Sequence, residues 1–299
     1  IRDGACDWSS DVCSSDLSYY DAREHTGLLR VATVRTSLAG ETMVIVMFGE
    51  DDPPAIRRVM EALDEAFPDL TSLSYVVNTT RNDALAGHTV VPFSGREWIT
   101  EQCGPNRLRI RPTAFYQTNP AQAVRLYERA VELAALTGDE TVYDLYSGIG
   151  SIALFVARRV RRVVGIESVA DAVVASRENA ELNEITNATF EEGFVEEILP
   201  EVIARHGAPD LVFVDPPRAG IHPTARTALD DAAPERIVYV SCNPRSQAAD
   251  VAALSDRYAV ANLQPVDMFP QTRHVENIAL LVRRDAVDTA SDASYSLSR

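Results

Sequence analysis

Cationic side chains are in short supply. Lysine and arginine together number 28 against 44 aspartates and glutamates, a net charge of −16 at pH 7. So acidic a chain does not bind nucleic acid over its whole surface, because phosphate contacts need clustered cations; only a local basic groove remains open to it. Cysteine is scarcer still. Four residues in 299 are too few for a disulfide scaffold of this size, and Cys6, Cys13, Cys103 and Cys242 form no Cys-x-x-Cys pair, so no metal site is expected. No apolar run reaches the roughly 18 residues of a membrane span. Residues 1–16 are polar and acidic rather than basic and then apolar, unlike a secretory leader. These absences lead to the expectation of a cytoplasmic monomer with reduced thiols and no membrane contact.

What is present is ordinary for a globular protein: 46% hydrophobic and 24% charged residues, which excludes collagen-like, coiled-coil and largely disordered chains. The length suggests about two domains. Residues 1–17 stand apart. Trp8-Ser9-Ser10-Asp11-Val12-Cys13-Ser14-Ser15-Asp16 repeats Ser-Ser-Asp with no helical or strand period and resembles translated adapter read-through. The segment is expected to be a non-native or disordered tail that packs against nothing. Residues 18–112 read as a central α+β domain. Strands at 28–36 and 42–48 flank Ala39-Gly40 as a hairpin, a helix runs from Pro53-Pro54 to about residue 67, and strands follow at 72–78 and 107–111.

Over 113–284 helices and strands alternate. Strands are expected at 141–145, 162–166, 188–190, 210–214, 236–241, 258–266 and 278–282, with helices such as 121–135 and 169–182. This alternation implies an α/β fold with a mainly parallel sheet covered by helices on both faces. The last two strands lack a helix between them and so close the sheet as a hairpin. Residues 285–299, rich in Asp, Ala and Ser, read as a flexible tail.

The run Asp144-Leu145-Tyr146-Ser147-Gly148-Ile149-Gly150 ends the first of these strands and opens a helix, and its glycines let the backbone approach a ligand closely. The second strand ends in Glu167, 17 residues past Gly150, where a carboxylate suits the two hydroxyls of a ribose. A short Gly-x-Gly without the dinucleotide spacing favours S-adenosylmethionine over NAD. The fourth strand ends in Asp215-Pro216-Pro217-Arg218, a rigid exit at the carboxyl edge where ligands bind in open α/β sheets. The fifth delivers Cys242-Asn243-Pro244 before a helix, and a helix N-terminus lowers thiol pKa. A thiolate beside a methyl donor can add to C6 of uracil, which makes C5 nucleophilic toward the methyl group. A base must then remove the C5 proton. Glu276 is the candidate, with burial raising its pKa toward neutrality, and His274 is its rival.

Five motifs in order then carry a resemblance: Phe115-Tyr116-Gln117-Thr118-Asn119, the loop from Asp144 to Gly150, Asp215 to Arg218, Ser241 to Pro244, and His274-Val275-Glu276. With them the chain resembles the bacterial RNA uracil-C5 methyltransferases, most closely those acting on 23S ribosomal RNA. The resemblance implies a Rossmann-like methyltransferase domain with a smaller N-terminal α+β domain. It also implies contacts from Gln117, Tyr146, Glu167 and Asp215 to S-adenosylmethionine, Cys242 as nucleophile and Glu276 as base. The central domain would help cradle RNA, with Arg81, Arg96, Arg107, Arg109, Arg111 and Arg218 lining a basic cleft, and the target uridine would flip out of its stack. Phe115 and Tyr116 are candidates to stack on bases or to pack in the core.

Two departures from the family stand out. No N-terminal oligonucleotide-binding fold is visible, and Cys6 and Cys13 do not supply the cysteine cluster of members that hold an iron–sulfur centre. No such cluster is expected, and the chain reads as either a fragment or a shorter form. Ser147 also stands where a cysteine is common. Three alternatives stay open: a tRNA uracil-C5 enzyme, an amino-methyltransferase that needs no covalent cysteine, and a non-catalytic RNA-binding fragment.

Overall fold

The computed structural model describes residues 17–286 apart from 86. The expected tails therefore lie outside the described residues, except for residues 285 and 286 and for Leu17. Leu17 is half-buried against an apolar core rather than unpacked. The chain divides into two compact units, Ile1–Glu101 with Arg109–Thr113, and Gln102–Leu108 with Ala114–Arg299.

The first unit holds a four-stranded sheet in the order β1 (Leu29–Thr36), β2 (Thr42–Phe48), β3 (Ser72–Val77), β4 (Val91–Gly95). Helix α1 (Pro53–Ala66) joins β2 to the parallel strand β3. It starts where the sequence dictates. The Asp52 side chain accepts from the Ala55 N–H at 3.1 Å, and Pro53 and Pro54 occupy first-turn positions that need no donor. Its buried residues Ala55, Ile56, Val59 and Met60 pack on Val46, Phe48 and Leu73. The division between the units runs through a hairpin of β5 (Ile99–Cys103) and β6 (Asn106–Ile110).

The second unit continues with α2 (Pro120–Ala134), β7 (Thr141–Leu145), α3 (Ser151–Ala157), β8 (Arg162–Glu167), α4 (Ala170–Leu182), β9 (Ala188–Glu192) and α5 (Val195–His206). It is completed by β10 (Leu211–Val214), α6 (Pro223–Ala232), β11 (Arg236–Ser241), α7 (Pro244–Ala253), β12 (Tyr258–Val266) and β13 (Glu276–Arg283). The sheet order is β12-β13-β11-β10-β7-β8-β9. Every residue of β7 and β10 is buried, as strands in the middle of a parallel sheet are; β10 is wholly apolar, whereas β7 carries Asp144. From β7 the chain winds outward through β8 and β9, then returns to β10 on the other side. The order reverses between β7 and β10, and in open sheets ligands bind at the carboxyl end of that switch point. The antiparallel hairpin β12–β13 closes the sheet, as the missing helix predicts. On β11 and β13, Ser241 pairs with Asn277. One step further along this antiparallel register, Cys242 comes opposite Glu276.

Candidate active site

The loop leaving β7 is bent into an uncommon shape. Tyr146, Gly148 and Gly150 have φ of 65°, 54° and 84°. Glycine enters this region freely, whereas a tyrosine there stores on the order of 1–3 kcal/mol of strain, a feature that clusters at ligand sites. Hydrogen bonds hold the bend: the Ser147 N–H donates to the Ile166 carbonyl at 3.0 Å, and the Gly148 N–H to Glu167 Oε2 at 2.9 Å. Glu167 Oε1 accepts from the Val169 N–H at 2.8 Å.

Asp144 lies beneath the loop. Its Oδ2 accepts from the Ala153 N–H at 2.8 Å, while its Oδ1 and the Ser147 Oγ are buried without a hydrogen-bond partner. Both residues line a cleft with Gln117, Tyr127, Tyr146, Gly148 and Asp215. Its cavity volume is small, about 50 Å³. Burial pushes Asp144 up to about 8, assisted by the charges of Asp215 and Glu167 and opposed by the Ala153 N–H. Burial and the Glu276 charge push Asp215 up to about 7. Carboxylates crowded at one cleft favour a cationic ligand, and the unpartnered oxygens can accept hydrogen bonds from its hydroxyl or ammonium groups.

A second cluster adjoins the first through Asp215. Cys242 follows β11, and Asn243 caps α7 by accepting from the Arg245 N–H at 3.2 Å. Glu276 is 4% exposed, while His274 is exposed, which separates the two candidate bases. The Arg218 carbonyl accepts from Asn243 Nδ2, next to Cys242, at 2.8 Å, and the Arg218 charge favours the thiolate. The helix N-terminus does not leave this thiol acidified. Burial and the Glu276 carboxylate hold it above its ordinary value of 9.0 despite Arg218. Burial first, and then an opposing carboxylate, outweigh the partial charge of a helix end. Burial raises Glu276 as expected, against Arg218.

Of the residues singled out in the sequence, Gln117, Tyr146, Gly148 and Asp215 line the cleft. Gly150 and Glu167 support it from behind. A Cβ on Gly150 would lie 3.1 Å from the Phe190 ring. Asp144 and Ser147 stood in the loop motif without a role of their own, and sequence reasoning missed Tyr127. The available signal for Asp144 was a carboxylate inside an otherwise uncharged strand. Arg218, read as lining an RNA cleft, also lies close enough to Cys242 for its charge to favour the thiolate.

Three of the six arginines expected to line a cleft are partnered within the first unit. Arg96 pairs with Glu41 at 2.7 Å, Arg111 with Glu97 at 3.4 Å, and Arg109 stacks 4.9 Å from the Trp98 ring centroid. Among the described residues no group of His, Cys, Asp or Glu could hold a metal ion, and no helix is long and apolar enough to cross a membrane.

Residues 105–284 match the family model described as tRNA (Uracil-5-)-methyltransferase. The chain belongs to this family. An uncharacterized RNA methyltransferase of Porphyromonas gingivalis is 48% identical over 279 residues, covering 91% of this chain and 60% of the relative. One from Enterococcus faecalis is 40% identical over 271 residues, covering 90% and 59%. The chain thus spans about three fifths of the length of these relatives. Among solved structures, the Pyrococcus abyssi tRNA (uracil-54, C5)-methyltransferase in complex with S-adenosyl-L-homocysteine matches with a TM-score of 0.75 at 33% identity. That match covers 89% of this chain and 63% of its own. Pyrococcus abyssi Trm5b, at 13% identity and a TM-score of 0.53 over 85% and 74%, shares the fold alone. The Rossmann-like methyltransferase fold implied by the motifs is the fold observed.

Proposed function

We propose that this chain methylates C5 of uridine in RNA, with S-adenosylmethionine as the methyl donor. The observation that carries this reading is the β11–β13 register, which sets a cysteine against a buried carboxylate beside a cleft rich in acids. The cleft residues fit the donor: Asp144 Oδ1 and Ser147 Oγ lack partners, and the acids suit a cationic ligand. Gln117, Tyr146, Gly148, Glu167 and Asp215 would hold it, with Glu167 on the ribose hydroxyls. Bound there, S-adenosylmethionine would supply the methyl group that C5 takes up.

The chain's own residues do the rest. Arg218 stabilises the Cys242 thiolate, whose sulfur adds to C6 of a flipped uracil and drives the ring electrons to C5. After C5 has gained its methyl group, the Glu276 carboxylate takes the remaining C5 proton. The C6–sulfur bond then breaks, and the thiolate returns. The expected substrate is 23S ribosomal RNA. Transfer RNA is the second reading, favoured by the 33% identical Pyrococcus neighbour.

Trapping tests the covalent step. Cys242→Ala is expected to give neither 5-methyluridine nor an adduct while still binding S-adenosylmethionine. Glu276→Gln is expected to accumulate a denaturation-resistant protein–RNA adduct. Methylation by Cys242→Ala would favour the amino-methyltransferase alternative, and comparing 23S with transfer RNA as substrate decides between those two.

A further inference from the structure

Helix α7 turns a polar face inward. Gln247 and Asp250 are almost fully buried, and neither spends its side chain on the helix itself. Asp250 Oδ2 accepts from the Tyr239 hydroxyl at 2.7 Å and from the Ile221 N–H at 2.8 Å. Its Oδ1 accepts from Arg226 Nη1 at 2.9 Å. Three donors from β11, α6 and the turn after β10 thus satisfy one carboxylate, the condition under which a charge tolerates burial.

The turn itself is built to fit. The Gly220 N–H donates to the Pro217 carbonyl at 2.8 Å, and Gly220 has a φ of 91°. A Cβ there would lie 2.5 Å from Asp250 Oδ2, so the backbone rests directly on the carboxylate. The Arg218 carbonyl accepts from Asn243 Nδ2 at 2.8 Å and from the Ser246 Oγ at 3.1 Å. Gln247 Nε2 donates to the Tyr239 carbonyl at 2.9 Å and to the Asn277 carbonyl at 3.2 Å. One face of α7 therefore grips the segments that carry Arg218, Cys242 and Glu276.

We propose that Asp250 is a positioning residue: held by Tyr239 and Arg226, its carboxylate seats the 217–221 turn so that Arg218 reaches the Cys242 thiol. The proposal rests on the reading of Cys242 as nucleophile, but its test does not need turnover. Asp250→Asn keeps the size and replaces an acceptor with a donor facing the Ile221 N–H. The seat loosens, and the thiol loses part of the charge that favours its ionised form.

The rate of Cys242 alkylation by iodoacetamide, followed by peptide mass across pH on the folded chain, reads this directly. Asp250→Asn is expected to slow alkylation about threefold or more near neutral pH and to move the profile to higher pH. Arg218→Ala is expected to move it the same way, and Asp250→Asn to add nothing in that background. Should Asp250→Asn fail to fold, Tyr239→Phe removes one of the two bonds orienting the carboxylate and is expected to give a smaller shift of the same sign.

A lower melting temperature with an unmoved alkylation profile would reduce Asp250 to a structural role and overturn the proposal. So would an Arg218→Ala profile that stays in place. Methylation by Cys242→Ala with both shifts intact would instead strike the covalent mechanism and leave the positioning of the thiol standing.

Discussion

At the scale of residues, Cys242 and Glu276 set each other's ionisation. The Glu276 charge is one of the influences that raise the thiol, after burial. Removing it by Glu276→Gln is therefore expected to lower the thiol pKa and speed Cys242 alkylation near neutral pH, even as the same variant stalls as an RNA adduct. An unchanged or slower alkylation would mean that the carboxylate does not face the sulfur. In the proposed mechanism both groups act in their ionised forms, and both pKa values are raised. The methyl-transfer rate of the parent chain is thus expected to climb with pH until the thiol ionises. The sequence singles out both residues because each sits at a strand end in a recognisable motif, and the structure brings those strand ends side by side. The role of Arg218 was not legible there, nor was that of Asp250. Their meaning comes from hydrogen bonds between loops 25 or more residues apart, such as Asn243 to Arg218 and Ile221 to Asp250.

At the scale of elements, β8 depends on the absence of a side chain. A Cβ on Gly165 would lie 2.6 Å from Phe190 Cδ1 and 3.0 Å from the Ser147 Oγ. The Phe190 ring is buried and also lies over Gly150, so it cannot retreat without disturbing the cleft loop. Gly165→Ala is expected to destabilise the chain by about 1–3 kcal/mol in urea unfolding, as an overpacked core does. Phe190→Leu added to it is expected to recover part of that loss; a fully additive pair would show that the ring is not the obstacle. Most elements here were legible. Most strands of the second unit carry a short apolar core, such as Leu211–Val214 and Ile237–Val240, and α1 and α2 begin with an acid or amide cap followed by proline. The first unit was read less completely. β4 contains Pro92 and ends in Gly95, which speak against a strand except at a sheet edge. That is where it lies. β5 is five residues with a buried Glu101 in the middle and has no strand-like alternation; the Leu38 N–H donates to the Glu101 carboxylate at 3.0 Å, a contact no local pattern announces.

At the scale of the whole molecule, two acids of the cleft, Asp144 and Asp215, tie stability to pH. Burial, with the charges of neighbouring acids, pushes Asp144 and Asp215 from the ordinary 3.8 of the unfolded chain up to about 8 and about 7 in the folded protein. Between those limits the folded protein holds protons that the unfolded chain has released. Stability without ligand therefore falls as pH rises through that window. The contribution of the protonated acids is fully present below about pH 4 and lost by about pH 8. Asp144→Asn stays neutral throughout, so its melting temperature is expected to decline less steeply than that of the parent between these limits. A cationic ligand reverses the balance by favouring the ionised carboxylates. Binding of S-adenosylmethionine near pH 7 is then expected to release protons, measured as a dependence of the calorimetric heat on the buffer's ionisation enthalpy, and S-adenosylhomocysteine, which lacks the sulfonium charge, is expected to release fewer. Parallel melting curves for parent and Asp144→Asn, together with equal proton release by the two ligands, would show that these acids titrate outside the window and do not sense the charge of the methyl donor.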